Sequence, residues 1–204
     1  MNRRLRCTTC LRPRSNCICR WITPVAHEVE VLILQHPLEV DNPKGTARLL
    51  QLSLPSSRLL TGEVFAPGDW QPPGSTRHKL LLYPDLPSDR AAGWPEPPAL
   101  APGVLQDPSL LRLIVLDGTW RKSRKMLYLN PWLQHLPRLS LQGMPASNYL
   151  IRRAHKPDQL STLEATCAAL AQLEGDAEKF QPLLAAFDGF VAQQMAYADS
   201  GPRL

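Results

Sequence analysis

Arg112-Leu-Ile-Val-Leu-Asp-Gly-Thr-Trp120 is the stretch on which the reading of this 204-residue chain turns. A short apolar, β-branched run ending in Asp-Gly spells a buried strand that stops at a turn. Sheets of this kind carry their ligand sites at the carboxyl ends of the strands, so Asp117 stands where chemistry can happen. The next five residues, Arg121-Lys-Ser-Arg-Lys125, bring four cations to that carboxylate and suit an acidic, extended partner. A purely structural reading is open at this point, in which Asp117 starts the next helix and Trp120 fills the core.

Outward from this stretch, strands and helices alternate. Val29 to Leu34 is a first strand, stopped by Gln35-His-Pro37, and His36 at its end reads as a structural hydrogen-bonder. Thr46 to Leu54 has helical leucine spacing and ends at Pro55. A second strand begins at Arg58, residues 62–76 are loop, and Lys79 to Tyr83 is a third strand stopped by Pro84-Asp85. Residues 87–108 contain six prolines and read as a surface excursion. A helix is expected over Thr119–Leu129, and cations in its first turns oppose the helix dipole by ~0.3–1 kcal/mol each, which implies a use for them outside folding. Leu139-Ser-Leu141 is a fifth strand candidate, and 143–153 is irregular. Ser161-Thr-Leu-Glu164 is a capping box opening a helix that runs to Leu173 and stops at Gly175. A last helix, 177–197, carries a stripe of Phe180, Leu183, Leu184, Phe187, Phe190, Val191 and Met195 that reads as core. Alternation of this kind implies an α/β fold with a mostly parallel sheet. There is no P-loop and no G-x-G-x-x-G, which argues against a nucleoside triphosphate or a Rossmann-bound dinucleotide.

Charge is concentrated at one end. The first twenty residues hold six arginines and no acid, more than the whole chain's net charge of +5, so the remainder is close to neutral. Interleaved with those arginines are Cys7, Cys10, Cys17 and Cys19. Four thiols this dense, behind first residues that do not read as a secretory signal, are expected to form a tetrahedral zinc site and not two disulfides. Folding that knuckle would fix Arg3, Arg4, Arg6, Arg12, Arg14 and Arg20 on one small surface suited to phosphate. Cys167 stands alone in a helical pattern and reads as a core residue. No apolar run approaches the ~18 residues of a membrane span, and the expected compartment is the cytoplasm.

Taken together, Cys7-x2-Cys10 with Cys17-x-Cys19, His36-Pro-x-Glu39, Asp117-Gly-Thr-Trp120 and Ser161-Thr-Leu-Glu-Ala165 resemble the DTW-domain family of tRNA-uridine aminocarboxypropyltransferases. Ser147-x-Tyr149-x2-Arg152 resembles a further family segment, whereas Gly45-Thr-Ala-Arg48 departs from the Asn-Thr-Gly-Arg of some relatives. The resemblance implies transfer of the 3-amino-3-carboxypropyl group of S-adenosylmethionine to N3 of a uridine in the tRNA variable loop, with release of methylthioadenosine. It also implies a SPOUT-like α/β fold with a trefoil knot in a catalytic domain of residues 25–204, preceded by a zinc-binding module of residues 1–24. A monomer is slightly favoured.

Such chemistry must remove the N3 proton and present one of the sulfonium's three carbons. Asp117 is the candidate base, although an ordinary aspartate, with a pKa near ~3.9, is a weak one unless burial raises it. Alternatively it binds the ligand's ammonium group and stays ionised. Thr119 would hold Asp117 or the ligand, and Trp120 would stack on adenine or uracil, with core packing as the alternative. Leu82, Tyr83, Pro84, Leu116, Gly118, Ser161, Thr162 and Glu164 complete the expected cofactor site, with Glu164 equally explained by its cap. Arg121, Lys122, Arg124, Lys125, Arg152, Arg153 and Lys156 join the N-terminal arginines as expected RNA contacts. Two other readings are a SPOUT-type methyltransferase and a zinc RNA-binding module without turnover.

Overall fold

A computed structural model describes residues 5–66, 68, 74, 76–91, 93–141 and 160–199. The apolar runs form five strands, β1 (Glu30–Gln35), β2 (Ser57–Thr61), β3 (His78–Leu82), β4 (Leu111–Asp117) and β5 (Arg138–Leu139). All pair in parallel, in the order β2-β1-β4-β3-β5. The helices are α1 (Ala47–Ser53), α2 (Pro87–Ala91), α3 (Trp120–Leu129), α4 (Pro131–Gln134), α5 (Thr162–Glu174) and α6 (Gln181–Asp199).

Alternation along β4 explains why the central strand is apolar throughout. Leu111, Leu113 and Val115 pack with residues of α1, α5 and α6 on one face, while Ile114 and Leu116 meet Met126, Leu127 and Leu133 of α3 and α4 on the other. The connection from β1 leads outward to β2, and that from β4 leads the opposite way to β5. The chain therefore parts between β1 and β4, where a parallel sheet opens a crevice at its carboxyl edge.

Several expectations need correction. The proline-rich stretch 87–108 is more than a surface excursion. It holds α2 and a 3-10 turn, Pro102–Gln106, and Asp89 is buried in it because its carboxylate meets Arg138 at 2.8 Å. A short helix, α4, follows Asn130 where only a stop was expected, with Pro131 at its start, a position where the missing N–H costs nothing. The stripe is buried at Phe180, Leu183, Phe187, Phe190 and Val191 and partly buried at Leu184, but Met195 is 42% exposed because the last turns run past the core. The expected irregular segment 143–153, with Ser147, Tyr149, Arg152 and Arg153, lies outside the described residues, as do His155, Lys156, Arg3 and Arg4.

The cysteine segment is built into the main core. Cys10 and Ile18 are buried with the α1, α5 and α6 residues, and Cys7, Cys17, Cys19, Trp21 and Ile22 pack against them. Trp21 lies on α6 at Gly189, where an added Cβ would fall 2.2 Å from the indole. Its Nε1 donates to Gln193 Oε1 at 2.6 Å, and Asn16 and Gln194 exchange side-chain amide bonds at 2.8 Å each way. Among the described residues no helix is long and apolar enough to cross a membrane.

Candidate functional site

Parallel pairing sets Gln35, the last residue of β1, beside Asp117, the last of β4. Both side chains leave the sheet on the α1/α5 face. Gln35 Nε2 donates to Asp117 Oδ2 at 2.9 Å, and Thr162 Oγ1, from the first turn of α5, donates to Asp117 Oδ1 at 2.7 Å. Asp117 is only 5% exposed. Its carboxylate is thus aimed by two neutral donors that themselves belong to other elements.

Beside it opens a cleft of about 180 Å³ lined by Glu39, Asn42, Lys44, Gly45, Thr46, Asp117, Gly118, Thr119, Ser161 and Thr162. The cleft sits at the β1/β4 parting. Glu39 follows β1 in a 3-10 turn; it is 6% exposed and accepts from Lys122 Nζ and Asn42 Nδ2, both at 2.7 Å. Gly118 is tight, since a Cβ there would come 3.1 Å from Lys122 Cβ. Thr119 caps α3, its hydroxyl accepting from Lys122 N. The Ser161 and Glu164 capping box is complete, with Ser161 N donating to Glu164 Oε2 at 2.7 Å and Glu164 N to Ser161 Oγ at 3.2 Å.

The expected residues fall into two groups. The cleft collects Asp117, Gly118, Thr119, Ser161 and Thr162, but its lining does not include Leu82, Tyr83, Pro84, Leu116, Trp120 or Glu164. Tyr83 and Trp120 meet on the α3 face, edge to face at 5.5 Å. Trp120 is 46% exposed, so it does not fill the core. Tyr83 is buried and its hydroxyl has no hydrogen-bond partner among the described residues; burial, then the charge of Asp89, push its pKa up to about 12. Arg138 lies 5.2 Å over its ring. Glu39, Asn42, Lys44 and Thr46 had no assigned role in the sequence; the His36-Pro-x-Glu39 motif was the signal that marked this segment. His36 is a structural hydrogen-bonder, with Nδ1 accepting from Leu38 N at 3.2 Å and Nε2 at 2.7 Å from Glu63.

The cations of α3 have a use in the fold. Lys122 binds Glu39, Lys125 binds Glu63 at 2.7 Å, and Arg124 lies 3.6 Å from Asp89. Acids from neighbouring loops thus offset cations that the helix dipole disfavours. Among the N-terminal arginines, Arg6 pairs with Asp41 and Arg20 donates to Gln193, while Arg12 donates to the carbonyls of Pro43 and Gly45. Arg14, Arg20 and Arg121 are exposed.

The four cysteine sulfurs lie within 4.8 Å of one another, with Cys7 and Cys19 3.5 Å apart and Cys10 and Cys17 3.7 Å apart. Tetrahedral zinc with sulfurs at ~2.3 Å needs separations of ~3.8 Å, so the cluster fits that ion. Backbone N–H groups of Cys10 and Thr9 draw the Cys7 thiol down to about 6, whereas burial and the neighbouring thiols push Cys19 up to about 12, so the four sulfurs' closeness, and not their titration, carries the metal reading.

A family model described as the DTW domain matches residues 4–195. The chain belongs to the DTW-domain family. It is 31% identical over 197 residues to "tRNA-uridine aminocarboxypropyltransferase 2" of Drosophila melanogaster, covering 90% of this chain and 72% of that protein. It is 30% identical over 181 residues to the Macaca fascicularis protein of the same name, covering 84% of this chain and 57% of that one. A 137-residue match to "tRNA-uridine aminocarboxypropyltransferase A" of Arabidopsis thaliana, at 31% identity, covers 62% of this chain and 51% of that protein. This DTW-domain chain therefore spans little more than half of some relatives. No solved structure matches it.

Proposed function

We propose that this DTW-domain protein modifies tRNA, moving the 3-amino-3-carboxypropyl group of S-adenosylmethionine to N3 of a uridine in the variable loop. The observation that carries the reading is the anionic cleft at the β1/β4 parting, where buried Asp117 and Glu39 face one space. Glu39 is paired with Lys122, whereas Asp117 is held by the neutral donors Gln35 and Thr162, so Asp117 is the carboxylate that suits a cation, and the donor carries two positive centres, a sulfonium and an ammonium. The relatives' names support the transfer and its substrate. A SPOUT-like knotted fold belongs to the same reading, and the parallel sheet is in keeping with it.

In the transfer a bond forms between N3 and the propyl carbon, the carbon–sulfur bond breaks with its electron pair returning to sulfur, and the N3 proton leaves to a base. Asp117 anchors the positive end of the transferred group, oriented by Gln35 and Thr162. Glu39, its charge met by Lys122, fixes the cleft's shape, and Lys44 stands at the same cleft to meet the ligand's carboxylate. Trp120, half exposed beside Tyr83, offers a stacking face for a base. Arg14, Arg20 and Arg121 present guanidinium groups to phosphate. Cys7, Cys10, Cys17 and Cys19 hold zinc, which supplies structure.

Incubating the protein with unmodified tRNA and S-adenosylmethionine, followed by mass spectrometry, tests the reading. An aminocarboxypropyl-sized gain with methylthioadenosine released is expected. A methyl-sized gain with S-adenosylhomocysteine would make it a methyltransferase, and tight tRNA binding with no product would leave an RNA-binding module. Asp117→Asn should lower kcat/KM on the order of a hundredfold, as the loss of a preorganised charge partner does; wild-type turnover would remove Asp117 from the site.

A further inference from the structure

Three arginines stitch the cysteine knuckle to the outer wall of the cleft. Arg12 spans two carbonyls of that wall, Nη1 to Pro43 O and Nη2 to Gly45 O, both at 2.7 Å, and lies 5.2 Å over the Phe190 ring. Arg6 pairs with Asp41, and Arg48 reaches back from α1 to the carbonyl of Thr9 inside the knuckle. The wall they hold is the segment 42–46, whose Asn42, Lys44, Gly45 and Thr46 line the cleft.

The position of Arg12 is in turn set by the cysteine turn. Leu11 N donates to Cys7 O at 3.0 Å and Cys7 N to Arg12 O at 2.8 Å, with Leu11 in the left-handed region at φ 61°. A metal holding Cys7 and Cys10 therefore fixes the backbone from which Arg12 extends. On its inner side the wall is braced by Asn42, which bonds Glu39 and the Lys44 amide, and by Thr46, whose Oγ1 accepts from Leu163 N of α5 at 3.3 Å. Gly45 has no slack, because its Cβ position lies 3.1 Å from Asn42 O.

We propose that Arg12 is a positioning residue, through which the metal knuckle sets the outer wall of the Asp117 cleft and hence its affinity for the cationic donor. The identity of that donor rests on the proposed function; the bracing itself does not. Arg12, placed among tRNA contacts by its sequence neighbourhood, thus works inward. The planar fork is pre-organised for both carbonyls, whereas a lysine ammonium must place its freely rotating donors on a flexible stem, so lysine should replace it in part.

The test compares the wild-type protein with Arg12→Ala and Arg12→Lys in the zinc-loaded state. Bound zinc per chain should not change. Amide exchange at 42–46 should accelerate, S-adenosylmethionine should bind about tenfold more weakly in Arg12→Ala and less so in Arg12→Lys, and KM for that donor should rise with kcat held within about twofold. Affinity for tRNA and its salt slope should stay at wild-type values. Unchanged exchange and donor affinity, with tRNA affinity reduced and the salt slope smaller by about one, would overturn the proposal and make Arg12 a phosphate contact. If Arg12→Ala loses zinc or fails to fold, Arg12→Lys decides, since it keeps the charge but not the fork; wild-type exchange and affinity in that variant would overturn the proposal. Should the wild-type protein not bind S-adenosylmethionine at all, the proposed function fails, and amide exchange alone decides for Arg12.

Discussion

Tyr83 shows how a single residue can be tuned for something other than stability. Its ring is buried between Trp120 and Arg138, yet its hydroxyl meets no partner among the described residues, an arrangement that costs about 1–3 kcal/mol relative to a satisfied group. Nearby Arg138 is also buried, with Nε and Nη2 meeting no partner among the described residues, while its Nη1 serves Asp89 and Pro84 O. Tyr83→Phe removes the unpaired group and keeps the packing, so Tm should hold or rise slightly. If Tyr83 contacts the donor, as its place at a strand end implies, the same variant should bind S-adenosylmethionine more weakly while keeping its Tm. A fall of more than about 3 °C in a melting experiment, roughly 1 kcal/mol for a chain of this size, would show that the hydroxyl has a stabilising partner.

At the scale of elements, His27 ties the entry of β1 to that of β2. Its Nδ1 lies 2.7 Å from Val29 O and its Nε2 is 3.2 Å from the amide of Ser56, so only the neutral ring with its proton on Nδ1 satisfies both. Burial holds its pKa below the ordinary 6.5, against the pull of Glu174. A histidine with a depressed folded pKa contributes stability that is complete above the unfolded value and is lost as pH falls below it, because only the unfolded chain then takes up the proton. Unfolding free energy, and Tm with it, should therefore decline from pH 7 toward 5.5, the free energy by at most ~1.4 kcal/mol per pH unit from this group. In His27→Gln that arm should flatten; an unchanged slope would assign the acid sensitivity elsewhere. Elements of this kind were partly legible in the sequence. β1, β4, α1 and α5 announce themselves because apolar runs end at caps and turn residues, Thr46, Thr119, Ser161 and Gly175 among them. α2 and Asp89 were not legible, since what buries them is Arg138, 49 residues away. Likewise Asp117 could be placed at a strand end, but Gln35, its partner 82 residues distant, follows only from strand order, which local pattern does not encode.

For the whole molecule, the cysteine cluster decides whether the N-terminal segment is an appendage or a keystone. An appendage that only grips tRNA would lose RNA affinity on chelation and leave the sheet standing. Here Ile18 is wholly buried in the core shared by α1, α5 and α6, Trp21 fills the space over Gly189, and Asn16 locks to Gln194 near the other end of the chain. Structural zinc in small modules binds with an apparent ~10–16 kcal/mol, comparable with the ~5–15 kcal/mol that holds a typical domain together. Stripping the metal should thus release one zinc per chain and lower Tm by more than about 10 °C in a single transition. Donor and tRNA binding should fall together, and both should return on adding zinc. A chelated protein that keeps its Tm and its donor affinity while losing only tRNA would show that the knuckle can separate from the sheet. Such a result would mean that the Gly189 seat and the Arg12 fork contribute little to holding the two ends of the chain together.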